Sequence, residues 1–125
     1  MPENAIAKKI VNAAYKVHSA LGPGLFESVY EAVLSYELRQ EGLLVDQQVT
    51  IPIKYLDKVF DKGFIADLVV NNLIIVELKS VEKVSPLHMK QLLTYLRLSD
   101  RKLGLLINFG EASLKGSITR VANGL

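Results

Sequence analysis

Ile75-Val76-Glu77-Leu78-Lys79 is the stretch on which the reading of this sequence turns. An aliphatic, β-branched run ends in two charges two residues apart. The period of two in a strand sets Glu77 and Lys79 on one face and Leu78 on the other. A carboxylate and an ammonium on one face of a buried strand are costly unless they pair or are put to use. The run before it, Phe64-Ile65-Ala66-Asp67-Leu68-Val69-Val70, is interrupted by Asp67 in the same manner. The plain alternative is an ordinary salt bridge at a strand end. Residues 64–70 and 73–79 are separated by Asn71-Asn72, a hairpin signal because Asn tolerates positive φ. The form of that turn is diagnostic. A two-residue turn pairs Asp67 with Val76 and turns it away from Glu77. A three-residue loop or a bulge pairs Asp67 with Glu77 and brings the carboxylates together. Adjacent carboxylates repel, and a divalent cation relieves the repulsion.

On the N-terminal side, Ile6, Ile10, Ala13, Ala14, Val17 and Leu21 recur at spacings of three and four, which predicts a helix over 5–21. Gly22-Pro23-Gly24 breaks it. A second helix is expected over 26–40, with Val29, Val33 and Tyr36 as its apolar stripe and Gly42 marking its end. Residues 47–55 alternate around Val49, Ile51 and Ile53 as a strand, which Pro52 demotes towards an edge. On the C-terminal side, Ser85-Pro86 opens a third helix running to about residue 99, with Leu92, Leu93 and Leu96 as its buried side. Residues 102–109 are apolar on both faces and read as a central strand. A short strand around 118–121 is all that the tail suggests. The order ααβββαβ describes an α/β domain with a mixed central sheet flanked by helices. Strands 73–79 and 102–109 are expected to be parallel, joined by a right-handed crossover through the third helix.

The 125 residues fit a single domain over 1–125, and half of them are hydrophobic, which excludes a disordered chain. No cysteine is present, so a disulfide scaffold, a cysteine zinc site and a thiol nucleophile are excluded. The longest apolar runs are far too short to span a bilayer, so no membrane association is expected. The opening Met-Pro-Glu-Asn carries no signal-peptide pattern, and a soluble cytoplasmic protein is the default expectation. Fifteen Lys and Arg against thirteen Asp and Glu leave a net charge of +2. That is low for a protein that coats itself in nucleic acid, but not for an enzyme whose bound cations supply positive field. No Walker A loop, dinucleotide fingerprint or HEXXH is present. Ser28, Ser80 and Ser85 have no evident His–Asp partners, which rejects a triad hydrolase.

Asp67 followed ten residues later by Glu77-Leu78-Lys79 resembles the Asp…Glu-X-Lys signature of the PD-(D/E)XK nuclease superfamily. Gly24-Leu25-Phe26-Glu27-Ser28-Val29-Tyr30 is similar to the motif of its GxxExxY branch. Residues 64–70 and 76–79, Gln91-Leu92-Leu93-Thr94-Tyr95-Leu96 and Gly104-Leu105-Leu106-Ile107-Asn108-Phe109 also resemble that branch, in the right order. The similarity runs from about residue 10 to the C-terminus. It implies a restriction-endonuclease-like core.

The resemblance also implies roles. Glu27, Asp67 and Glu77 correspond to metal ligands, and the Leu78 carbonyl is a further oxygen donor. Oxygen-only ligation suits Mg²⁺ or Mn²⁺. Lys79 corresponds to the lysine that orients the attacking water or steadies charge at phosphorus, and an ammonium among carboxylates suits electrostatic help more than general-base work. Gln91 and Tyr95, four apart on one helix face, resemble a motif beside the metal site and the bound strand. His88, three residues before Gln91, shares that face and is a candidate phosphate contact. Tyr30 is a candidate for the substrate side, orienting Glu27. Each has a bland alternative. Glu27 is also a favourable first-turn charge. Tyr30 and Tyr95 are also core aromatics, and His88 is also a solvent-facing first-turn residue. His18 reads as structural.

The expected function is a metal-dependent nuclease hydrolysing phosphodiester bonds of nucleic acid, DNA ahead of RNA. The alternative is a non-catalytic nucleic-acid-binding or protein-interaction module that keeps the nuclease fold. So small a chain is expected to need a homodimer or a protein partner for selectivity.

Overall fold

The computed structural model describes residues 2–125. Two helices open the chain, α1 (Pro2–Leu21) and α2 (Glu27–Gln40). Three strands follow, β1 (Val45–Tyr55), β2 (Lys58–Val70) and β3 (Ile74–Lys79). Then come α3 (Pro86–Leu98), β4 (Leu103–Asn108) and β5 (Ile118–Ala122). The five strands form one sheet in the order β1-β2-β3-β4-β5. Only the β3–β4 pair is parallel, which is the pair that α3 connects. The remaining pairs are antiparallel, so the sheet is mixed. No helix among the described residues is long and apolar enough to cross a membrane.

Each sheet face buries one helical layer. Ile74, Val76 and Leu78 of β3 and Leu103, Leu105 and Ile107 of β4 pack against α1 and α2. Ile75 and Leu106, on the alternate positions, pack against Leu92 and Leu96 of α3. β3 and β4 are thus covered on both sides, as their continuous apolar sequence requires. α3 comes very close to β4 at Gly104, where a Cβ would lie 2.9 Å from a Leu92 methyl carbon.

α2 differs from its sequence reading. Its buried stripe is Tyr30, Leu34 and Leu38, one or two positions round from the Val29, Val33 and Tyr36 expected, and Tyr36 is exposed. Both stripes satisfy helical spacing, so periodicity alone does not choose between them. Tertiary contacts of Tyr30 do. Its ring stacks on Phe109 at 4.4 Å, its hydroxyl donates to Gly22 O at 2.5 Å, and it accepts the Leu25 N–H at 3.1 Å.

The β1–β2 register shifts between Ile51 and Ile53. Pairing between β2 and β3 stops at Leu68↔Val76. Beyond it, the β1–β2 hairpin continues as a long two-stranded arm, through Ile53↔Phe60 to Tyr55↔Lys58. Only residues 64–70 of this second strand were expected; six further residues lengthen it at the N-terminal end.

Candidate active site

The loop between β2 and β3 decides the position of Asp67. Val70 pairs with Ile74, so the loop holds three residues, Asn71, Asn72 and Leu73. Asn71 and Asn72 both take positive φ, 51° and 56°. This is the three-residue alternative, and its register sets Asp67 at the level of Glu77. The side chains do not simply share a face, however. Leu68 packs towards α1 and α2, whereas Ala66, two residues away, packs towards α3. Alternation therefore slips at Asp67. The same slip occurs across the ladder, between Val45 and Val49, with Gln48 at φ 52° between them. Asp67 consequently turns into the gap between the strands. Its Oδ2 accepts the Leu78 N–H at 2.8 Å, taking the place of the ladder partner that β2 no longer supplies. N–H and C=O of one strand residue point to the same edge. The Leu78 carbonyl thus faces that edge too, beside Asp67.

Glu77 lies on the α3 face and is 9% exposed. Its Oε1 is buried with no hydrogen-bond partner. Burial first, and then the charge of Asp67, push its carboxyl up to about 9. Lys79 lines the same cavity, yet Lys16–Glu37 is the single salt bridge among the described residues. The strand-end ion pair that would make Glu77 and Lys79 merely structural is not formed. The Lys79 backbone is pinned instead, its carbonyl accepting the Phe109 N–H at 2.8 Å.

The cavity is about 190 Å³ and is lined by Glu27, Asp67, Glu77, Lys79, His88, Gln91 and Tyr95, together with the exposed Ile65 and the buried Leu106. Eight of the nine residues singled out from sequence are therefore at or beside this cavity, counting the Leu78 backbone next to Asp67. Tyr95 combines both of its readings. Its ring stacks on Phe64 at 3.8 Å, and its hydroxyl pKa is raised, by burial first and then by the charges of Glu77 and Asp67. His88 Nδ1 accepts the Ser85 N–H at 3.3 Å, which leaves Nε2 as the end free for a ligand. Gln91 is exposed at the rim.

Two expectations need correction. Tyr30 is not a substrate contact: it is fully buried, stacked on Phe109, and it holds the Gly-Pro-Gly corner. The three-carboxylate metal set is not assembled either. No group of three His, Asp or Glu among the described residues converges closely enough to hold an ion. Glu27 stands exposed at the start of α2, which packs on the opposite sheet face and reaches the cavity only with its first turn. His18 is structural as expected, with Nε2 2.9 Å from Glu111 O.

Two residues were missed. Gln48 Nε2 donates to Glu31 Oε1 at 2.5 Å and to Asp67 Oδ1 at 3.3 Å. Both Asp67 oxygens are thus engaged. The left-handed backbone at Gln48 is strained for a non-glycine residue, and such strain concentrates at functional sites. Glutamine carries no sequence signal for that conformation.

The remaining two carboxylates still fit a divalent cation. Mg²⁺ typically uses one or two carboxylates, keeps several waters and takes substrate phosphate oxygens. Asp67, Glu77 and the Leu78 carbonyl supply that donor class, and the orphaned Glu77 oxygen lacks any other partner. The family model of the PD-(D/E)XK nuclease superfamily matches residues 4–121. The chain belongs to the PD-(D/E)XK nuclease superfamily. Asp67, Glu77 and Lys79 are held on β2 and β3 of this restriction-endonuclease-like core. No curated protein and no solved structure matches the chain.

Proposed function

We propose that this PD-(D/E)XK domain is an active Mg²⁺- or Mn²⁺-dependent nuclease of the GxxExxY branch, hydrolysing phosphodiester bonds with DNA as its substrate ahead of RNA. The observation that carries the reading is the buried, unpartnered Glu77 Oε1 beside Asp67, with an unpaired Lys79 in the same cavity. A fold without a ligand for that site would gain by pairing or replacing these groups.

Asp67, Glu77 and the Leu78 carbonyl hold the cation. A divalent ion there supplies Lewis acidity to a phosphoryl oxygen and lowers the pKa of water. Lys79 steadies the charge that develops on phosphorus. Glu27 joins from the cavity mouth when a nucleic acid strand closes it. Gln91, Tyr95 and His88 Nε2 line the path of that strand on the α3 side. Gln48, tied to Glu31, keeps Asp67 in its rotamer. A homodimer or a protein partner widens the contact surface, using the apolar tip of the β1–β2 arm, where Tyr55, Leu56, Val59 and Phe60 are exposed.

The test needs no knowledge of the substrate. Mn²⁺ should raise the Tm of the wild-type protein and leave Glu77→Gln unmoved, since a ligand of the folded state alone stabilises it. Lys79→Ala should keep the Mn²⁺ shift and lose cleavage by a factor of about 10² or more, the usual cost of removing one transition-state charge stabiliser. No shift in the wild type, with or without a phosphorothioate oligonucleotide, would turn the assignment to a non-catalytic module.

A further inference from the structure

The cavity has a neighbour. A second depression of about 520 Å³ is lined by Gly24, Leu25, Phe26, Glu27, Ser28 and Ser80. Glu27 lines both spaces, so the two lie next to one another. The wall of the second is Phe26, the most exposed large apolar side chain among the described residues at 83%. Lone exposed apolar residues are common and need no explanation. Phe26 differs because the backbone that carries it is held in place. The Leu25 N–H donates to the Tyr30 hydroxyl at 3.1 Å, and the Leu25 carbonyl accepts the Ser80 hydroxyl at 2.6 Å. The Phe26 carbonyl accepts the Val29 N–H at 3.0 Å. Tyr30 is itself immobilised in the core against Phe109. Ser80 directly follows Lys79, so the hydrogen bond that fixes Leu25 comes from the end of the strand that carries Glu77 and Lys79.

We infer that Phe26 is a stacking platform for an unpaired base next to the scissile phosphodiester, so that the substrate is single-stranded or frayed nucleic acid rather than intact duplex. A base within a duplex has both faces covered by its neighbours. A phenyl ring can meet a base face only where the strand is single or the base has left the stack. Phenylalanine offers no hydrogen bond to a base edge, so the platform does not discriminate among bases. A backbone already fixed also loses little entropy on binding. The inference deepens the nuclease reading and rests on it.

The chain has no tryptophan, so Phe26→Trp introduces a single indole reporter. Its fluorescence should be quenched saturably by a single-stranded 12-mer, presented with Mn²⁺ as phosphorothioate DNA and as phosphorothioate RNA. A blunt duplex of the same sequence should quench at least tenfold more weakly. Phe26→Ala should weaken single-strand binding, read by anisotropy of a labelled oligonucleotide, by roughly 5- to 150-fold, the effect of losing one base–aromatic stack. Its Mn²⁺ shift should equal that of the wild type, which also reports that it folds. Binding of single strands by Phe26→Ala as tight as wild type, or equal quenching by duplex, would overturn the inference while leaving the nuclease reading intact. An indole signal that changes with protein concentration alone would assign the ring to a second copy of the chain. Failure of the wild type to bind any of these strands would remove the nuclease reading and this inference together.

Discussion

With its carboxyl buried against Asp67 and Oε1 lacking a hydrogen-bond partner, Glu77 keeps its proton to about pH 9 in the metal-free fold. An unfolded chain releases that proton near the ordinary carboxyl value of about 4.3. Between these values the folded state binds more protons than the unfolded one, so stability falls as pH rises. Denaturant titrations of metal-free protein should show this slope, at roughly 1 kcal/mol per pH unit within the window. Glu77→Gln should flatten it, and a slope unchanged in that variant would locate the titrating group elsewhere. The Mn²⁺ shift should grow over the same range, because the cation must displace the proton. Glu77, Lys79 and Asp67 were legible in the sequence because charges inside β-branched runs conflict with burial. Gln48 and Glu31 were not, since neither breaks a pattern: one is polar at an edge and the other is charged on a helix. Tyr30 was legible as a core aromatic but not in its partners. Its three companions, Gly22, Leu25 and Phe109, meet it only in three dimensions.

Among the elements, the turn after β4 carries the most concentrated support for the site. Asn108, fully buried, accepts the Val81 and Gly110 N–H groups at 3.1 and 3.0 Å and donates to Val81 O at 3.0 Å. Gly110 lies so close to this segment that a Cβ would stand 2.2 Å from Val81 O and 2.4 Å from Val81 N. Gly110→Ala must therefore push the segment that follows Lys79. The expected cost is about 1–3 kcal/mol, the usual range for overpacking, with loss of activity beyond what the lowered Tm explains. Calorimetry beside an activity assay on the folded fraction checks both. Pro52 correctly marked β1 as an edge strand, and the apolar run of β4 marked it as central. The N-terminal extension of β2 was hidden because Lys58, Asp61, Lys62 and Gly63 read as loop chemistry. They form a strand nonetheless, since β1 offers an unpaired edge for them. The stripe of α2 was misplaced by one or two positions for the reason given by Tyr30.

At the scale of the whole molecule, the order of elements, the mixed sheet and the two helical layers follow from patterning alone, because β3 and β4 are too apolar to leave either face uncovered. The arm is different in kind. Its tip exposes Tyr55, Leu56, Val59 and Phe60 beyond the reach of any helix. The proposed homodimer uses this surface. Sedimentation equilibrium should give twice the monomer mass for the wild type and the monomer mass of 13.9 kDa for Leu56→Lys. A monomeric wild type at all concentrations would leave the arm to a different protein.

The position of β4 in the chain has a consequence for biosynthesis. Every polar side chain assigned to the cavity, from Glu27 to Tyr95, precedes β4, which begins at Leu103. Yet β4 buries the far edge of β3, Phe109 supports Tyr30, and Asn108 braces the segment after Lys79. A ribosome thus delivers every polar group of the cavity before the strand that holds them in register. A chain cut short near residue 100 carries all of these groups without the strand and the turn that brace them.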